Sequence, residues 1–120
     1  MQDYDEAMRW YRKSADQGDC SAQFAIGRLY DQGAGVPVSH PVAAEWYLKS
    51  AKRGCNMAQY SLGQMYENGE GVSKDYVIAY MWYNVAAPMG ADAVVVARNR
   101  VSQLMTREQI AEAQRLSRDR

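Results

Sequence analysis

Trp10, Trp46 and Trp82 stand 36 residues apart, and so do Gly18, Gly54 and Gly90. Tyr11, Tyr47 and Tyr83 keep the same step, as do Ala7, Ala43 and Ala79. Residues 1–36 and 37–72 are identical at 14 positions with no gap. A period of this length means that one supersecondary unit recurs, and such a unit buries its apolar face only by stacking on its neighbour. The expected object is therefore a repeat array within one domain, 120 residues long and large enough to bury a core.

Within each period two helices are expected. The first, exemplified by 21–32, carries Ala22, Ile26, Leu29 and Tyr30 at helical spacing, matched by Ala58, Leu62, Met65 and Tyr66. Gly27 and Gly63 lie inside these helices. Glycine there costs about 1 kcal/mol against alanine, so its recurrence points to close helix–helix approach. The second helix, at 3–17, 40–53 and 76–87, repeats an Ala, Trp, Tyr, Ala face. Asp3 (with Glu6 completing a capping box), Ser39 and Asp75 stand at its start, and Gly18 offers a left-handed stop. The three tryptophans, in phase with the alanines, are expected in the inter-helix core.

The glycine pairs of Gly33-Ala34-Gly35-Val36 and Gly69-Glu70-Gly71-Val72 follow helices. Phosphate loops follow a strand and open a helix, so these read as turns whose valine tucks back inward. Pro37 and Pro41 stiffen the first of them. After Gly90 the register fails: Val94, Asn99 and Ser102 replace the Ala, Gly and Tyr of the period. Asp92 can still cap a helix, and Val94, Ala97, Val101 and Leu104 make a stripe. Thr106 and Gln109 form a capping box with Met105 and Ile110 as its staple. The last helix, about 107–118, sets Ile110, Ala113 and Leu116 against a polar face, as a terminal cap requires. The expected division is a half repeat at 3–18, repeats at 19–54 and 55–90, and capping helices at 91–120.

These residues resemble the Sel1-like repeat, a relative of the tetratricopeptide repeat. Its unit, A-x-x-x-L-G-x-x-Y-x-x-G-x-G-V followed by A-x-x-W-Y-x-K-A-A-x-x-G, is met by Ala22, Ile26, Gly27, Tyr30, Gly33, Gly35, Val36, Ala43, Trp46, Tyr47, Lys49, Ala51 and Gly54, and again from Ala58 to Gly90. The resemblance covers roughly 3–90, and REQIAEAQRL is similar to the closing helix of bacterial members. Ser14 and Ser50 stand where alanine is usual, Val85 replaces the lysine, and Pro88 interrupts the last second-type helix. The resemblance implies an all-α, right-handed α/α superhelix of antiparallel pairs, about seven helices in all. It also implies a non-enzymatic adaptor that holds a protein or peptide on a concave face lined by the first helices.

On that face Gln23, Phe24, Arg28 and Asp31 correspond to Gln59, Tyr60, Gln64 and Glu67, and these eight are the candidate partner-binding residues. The alternative is a structural C-terminal segment of a longer array, whose helix 3–17 would expose an apolar edge and self-associate. Lys plus Arg equals Asp plus Glu at 14 each, which removes the main electrostatic reason to expect nucleic acid or an anionic membrane. The arginines at 98, 100, 107, 115, 118 and 120 are interleaved with Glu108, Glu112 and Asp119 and read as a solvated face. No run approaches the roughly 20 apolar residues of a membrane span. The start of the chain is no signal peptide, but the sequence opens mid-repeat, so this says little of the parent protein and leaves cytoplasm and periplasm both open.

No catalytic residue, cofactor or metal site is expected. His40 is the sole histidine and is placed in a loop between a cap serine and a proline, solvated, and neither G-x-S-x-G nor H-E-x-x-H occurs. Cys20 and Cys55 fall one position out of phase, in successive turns. Such turns should lie about 10 Å apart, beyond the roughly 7 Å limit for bridging, so free thiols are expected.

Overall fold

The structure is a computed structural model that describes residues 4–119. Seven α-helices follow in order among them: α1 (Tyr4–Asp16), α2 (Cys20–Gln32), α3 (His40–Lys52), α4 (Asn56–Asn68), α5 (Tyr76–Ala86), α6 (Asp92–Ser102) and α7 (Arg107–Arg118). From α1 to α5 each helix packs on the next, and α6 and α7 both pack on α5. The stack is elongated, 49 × 24 × 22 Å, because each unit touches only its neighbours. It is an all-α solenoid.

The helix ends follow the caps. Ser39 Oγ accepts from the Val42 N–H at 3.3 Å, and Asp75 Oδ1 from the Ile78 N–H at 3.2 Å. Asp3, the cap expected for α1, lies outside the described residues. Thr106 and Gln109 form the expected reciprocal box at α7, with bonds of 2.8 and 3.1 Å. Asp92 does not cap α6. The capping position is Ala91, and Asp92 is the first helical residue, where its charge still complements the positive end of the helix. Pro88 ends α5 early, and the chain leaves it through a 3₁₀ turn at Ala87–Met89.

The core forms three contiguous layers. Ala15, Ala22 and Ile26 join α1 to α2. Ala43, Tyr47, Ala51, Ala58, Leu62, Met65, Met81 and Trp82 join α3, α4 and α5. Ala79, Tyr83, Val94, Ala97, Val101 and Ala113 join α5, α6 and α7. Gly27 and Gly63 earn their place here: a Cβ on Gly27 would fall 2.6 Å from the Tyr47 ring, and one on Gly63 would fall 2.5 Å from the Tyr83 ring.

Three expectations are corrected. The tryptophans are not equivalent: Trp82 is buried, Trp46 half-buried, and Trp10 is 63% exposed. The reason is their neighbours. Trp82 packs within the layer that Leu116 of α7 also joins, whereas α1 packs chiefly on α2. Leu104 is exposed rather than part of the α6 stripe, because that helix ends at Ser102 and Leu104 sits in the following turn. Finally, Cys20 and Cys55 are joined by a disulfide, with Cα atoms 5.8 Å apart. Ser50 explains the approach. Its Oγ donates to the Cys20 carbonyl at 2.7 Å while its own carbonyl accepts from the Cys55 N–H at 3.2 Å. One buried serine thus draws the starts of α2 and α4 together, closer than generic helix spacing suggests.

Candidate functional site

The eight candidate residues separate into three kinds of environment. Gln23 and Gln59 are buried rather than turned toward a partner-facing surface. Each crosses to the preceding helix and donates Nε2 to a backbone carbonyl, Gln23 to Ala15 at 3.2 Å and Gln59 to Ala51 at 3.1 Å. A buried amide needs such a partner, so the pair pins each first-type helix to the end of the helix before it.

Asp31 and Glu67 are partly buried anchors. The Tyr47 hydroxyl donates to Asp31 Oδ2 at 3.4 Å, and the Tyr83 hydroxyl donates to Glu67 Oε1 at 2.7 Å. Burial first, and then the facing carboxylate, pushes both phenols above their ordinary range, so they remain donors at neutral pH. Glu67 also accepts two bonds from Arg100 of α6, at 2.7 and 2.8 Å. Those bonds, with that from Tyr83, hold its carboxyl below the usual range against the opposing effect of burial.

Phe24, Arg28, Tyr60 and Gln64 make up the accessible remainder. Phe24 lies tilted against Tyr47 with ring centroids 5.4 Å apart, and Tyr60 lies against Tyr83 at 5.8 Å. The Arg28 guanidinium stands 5.9 Å from the Phe24 ring centroid, and Gln64 Nε2 donates to the Tyr60 hydroxyl at 3.3 Å. Both half-buried rings are therefore fixed from below by a buried tyrosine and flanked above by an exposed polar side chain.

Between α2 and α4 a cavity of about 180 Å³ opens, lined by Asp31, Tyr47, Ser61, Gln64, Met65, Asn68 and Glu70. It brings together two of the expected residues, Asp31 and Gln64, with four polar ones that sequence reasoning missed: Tyr47, Ser61, Asn68 and Glu70. The signal for Tyr47 was present, since Asp31/Tyr47 and Glu67/Tyr83 repeat one 16-residue spacing of acid and phenol. Arg28 faces a separate cavity of about 200 Å³ with Tyr4, Tyr11 and Gln32.

His40 is not a solvated loop residue. It is the first residue of α3, and its Nδ1 is 2.8 Å from Asp31 Oδ1. On another surface, a groove of about 640 Å³ runs past Gln23, Trp46, Lys49, Lys52 and Arg53. Trp46 there already has the Lys49 ammonium at 4.5 Å and the Arg12 guanidinium at 5.8 Å from its ring centroid. Among the described residues no helix is long and apolar enough to cross a membrane.

The Sel1 repeat model matches residues 1–19, 20–55 and 56–90. A protective antigen of uropathogenic Escherichia coli that displays an SLR fold superposes with a TM-score of 0.87 at 35% identity, over 93% of this chain. The chain spans 24% of that antigen's length. A Sel1 repeat protein from Oxalobacter formigenes superposes with a TM-score of 0.74 at 40% identity, over 85% of this chain and 74% of its own. No curated protein matches the chain. With the repeat model covering three-quarters of the sequence and two Sel1-type structures following its course, the chain belongs to the Sel1 repeat family.

Proposed function

We propose that the chain is a non-enzymatic adaptor that holds an extended or helical segment of a partner protein across α2 and α4. Sel1 repeat proteins are in general scaffolds for protein–protein interaction. The observation that carries the reading here is the cavity between these two helices, with the ladder of Phe24, Arg28, Tyr60 and Gln64 beside it. Rings held rigid by Tyr47 and Tyr83 lose little entropy on binding, and Arg28, Gln64 and Asn68 supply hydrogen bonds to a peptide backbone. Asp31 and Glu67 position this surface, and Gln23 and Gln59 support it from beneath. In this reading residues 91–119 close the array as a cap.

The test is selection of ligands from a displayed peptide library on the parent chain, followed by titration of the selected peptides into an Arg28→Ala/Tyr60→Ala/Gln64→Ala variant. Helical circular dichroism of the variant should match that of the parent, and affinity should fall at least about tenfold, the scale of losing one or two interface anchors. Equal affinity for both chains would remove this surface from the proposal.

A second reading, a structural array segment without a partner site of its own, is favoured by one observation: Trp10 and Tyr11 are exposed on α1. It predicts self-association through α1. Sedimentation should then show a dimer that Trp10→Ala converts to monomer, whereas a monomeric parent at high concentration counts against it.

A further inference from the structure

Asp31 ends the apolar run of α2, His40 opens α3, and Glu70 lies in the turn after α4. Folding brings one ligating atom of each within 4.8 Å of the others. His40 Nδ1 stands 2.8 Å from Asp31 Oδ1 and 3.4 Å from Glu70 Oε1. Metal–ligand bonds of about 2.0–2.2 Å place neighbouring ligand atoms roughly 3 to 3.5 Å apart, close to the two distances from His40, and the Asp31 and Glu70 oxygens, within 4.8 Å of each other, reach that spacing by side-chain rotation. The side chains are one-third to one-half exposed (33, 38 and 50% for Asp31, His40 and Glu70), which leaves an entry path and room for water in the remaining positions.

The arrangement is also supported from behind. The second oxygen of Asp31 accepts from the Tyr47 hydroxyl, an orienting contact of the kind that backs metal-ligating carboxylates. Gly71 approaches the His40 carbonyl so closely that a Cβ on it would lie 2.5 Å from that oxygen. The turn that carries Glu70 is thereby seated on the first residue of α3.

We propose that Asp31 Oδ1, His40 Nδ1 and Glu70 Oε1 form a binding site for a divalent first-row transition metal ion, joining the first full repeat to the turn of the second. One imidazole nitrogen and two carboxylate oxygens suit Zn²⁺, Co²⁺, Ni²⁺ and Mn²⁺ rather than the soft Cu⁺. Both cysteines are engaged in the disulfide and offer no competing thiolate. On binding, His40 carries its proton on Nε2 and the Nδ1 lone pair goes to the metal.

Zinc is the probe. Calorimetric titration of Zn²⁺ into the oxidised chain at neutral pH should give one saturable site, and Glu70→Gln should weaken it at least about tenfold. His40 is the only histidine in the chain, so its ring ¹⁵N resonances report ligation directly. Nδ1 should shift on zinc addition in the parent, and the shift should require higher zinc in Glu70→Gln, a near-isosteric change at an exposed side chain. No saturable binding, an unmoved Nδ1 resonance, or undiminished affinity in Glu70→Gln would each overturn the site.

Discussion

A methyl group added at position 27 has nowhere to go, because the Tyr47 ring already occupies its place at 2.6 Å and the Ala43 carbonyl lies at 3.3 Å. Gly27→Ala gains about 1 kcal/mol of helix propensity but overpacks the α2–α3 contact, which costs typically 1–3 kcal/mol. A net loss of about 1 kcal/mol is expected by chemical denaturation, with Gly63→Ala behaving alike because the Tyr83 ring lies against it in the same way. A gain in stability in both variants would show that the tyrosines move aside freely. Ser50 works at the same scale with the opposite logic. It is a polar residue on a buried face otherwise lined by alanines and Tyr47, and its hydroxyl is satisfied by the Cys20 carbonyl. Ser50→Ala leaves that carbonyl without its side-chain donor and should cost about 1 kcal/mol by the same denaturant assay.

At the scale of elements, the contact between α4 and α6 is tied by Glu67 and Arg100. The Arg100 hydrogen bonds, then that of Tyr83, lower the Glu67 pKa in the folded chain. A carboxylate whose folded pKa is depressed contributes stability above its unfolded pKa of about 4.3 and loses it as pH falls through the folded value. Arg100→Ala should therefore lower the melting temperature at pH 7, by the equivalent of about 1 kcal/mol since Arg100 is half-exposed. The gap between parent and variant should close in acid, below the folded pKa of Glu67. A gap of constant size across that range would assign the loss to packing instead. Helix existence, order and most caps were legible in the sequence, since period, stripe and cap residues agree at each of them. Side-chain direction was not. Gln23 and Phe24 are adjacent on one turn of α2, yet the first turns under Ala15 while the second leans on Tyr47. The one-residue difference is about 100° around a helix, and the spacing of Ala22, Ile26, Leu29 and Tyr30 does not say which neighbouring helix covers each flank of that stripe. The disulfide was hidden for a similar reason: the turns are drawn together by Ser50, a substitution whose effect exists only in three dimensions.

For the whole molecule, stacking in which each helix packs mainly on its neighbours makes stability close to a sum over neighbouring units, and the Cys20–Cys55 bridge stands out as the covalent link between them. Closing a loop of 35 residues' separation should stabilise the chain by about 4 kcal/mol through the entropy of the unfolded state. Reduction, or a Cys20→Ser/Cys55→Ser pair, should lower the melting temperature by roughly 10–15 °C for a chain of this size, and an unchanged melting temperature would mean that the bridge constrains little beyond what packing already fixes. The same bridge sets a mechanical limit. Drawn out from its two ends, the chain cannot pay out the segment between the cysteines, which at about 3.3 Å per residue withholds roughly 110 Å of contour length. Under tension the oxidised molecule is a shorter tether than its reduced form, and optical tweezers would read thiol state directly as extension.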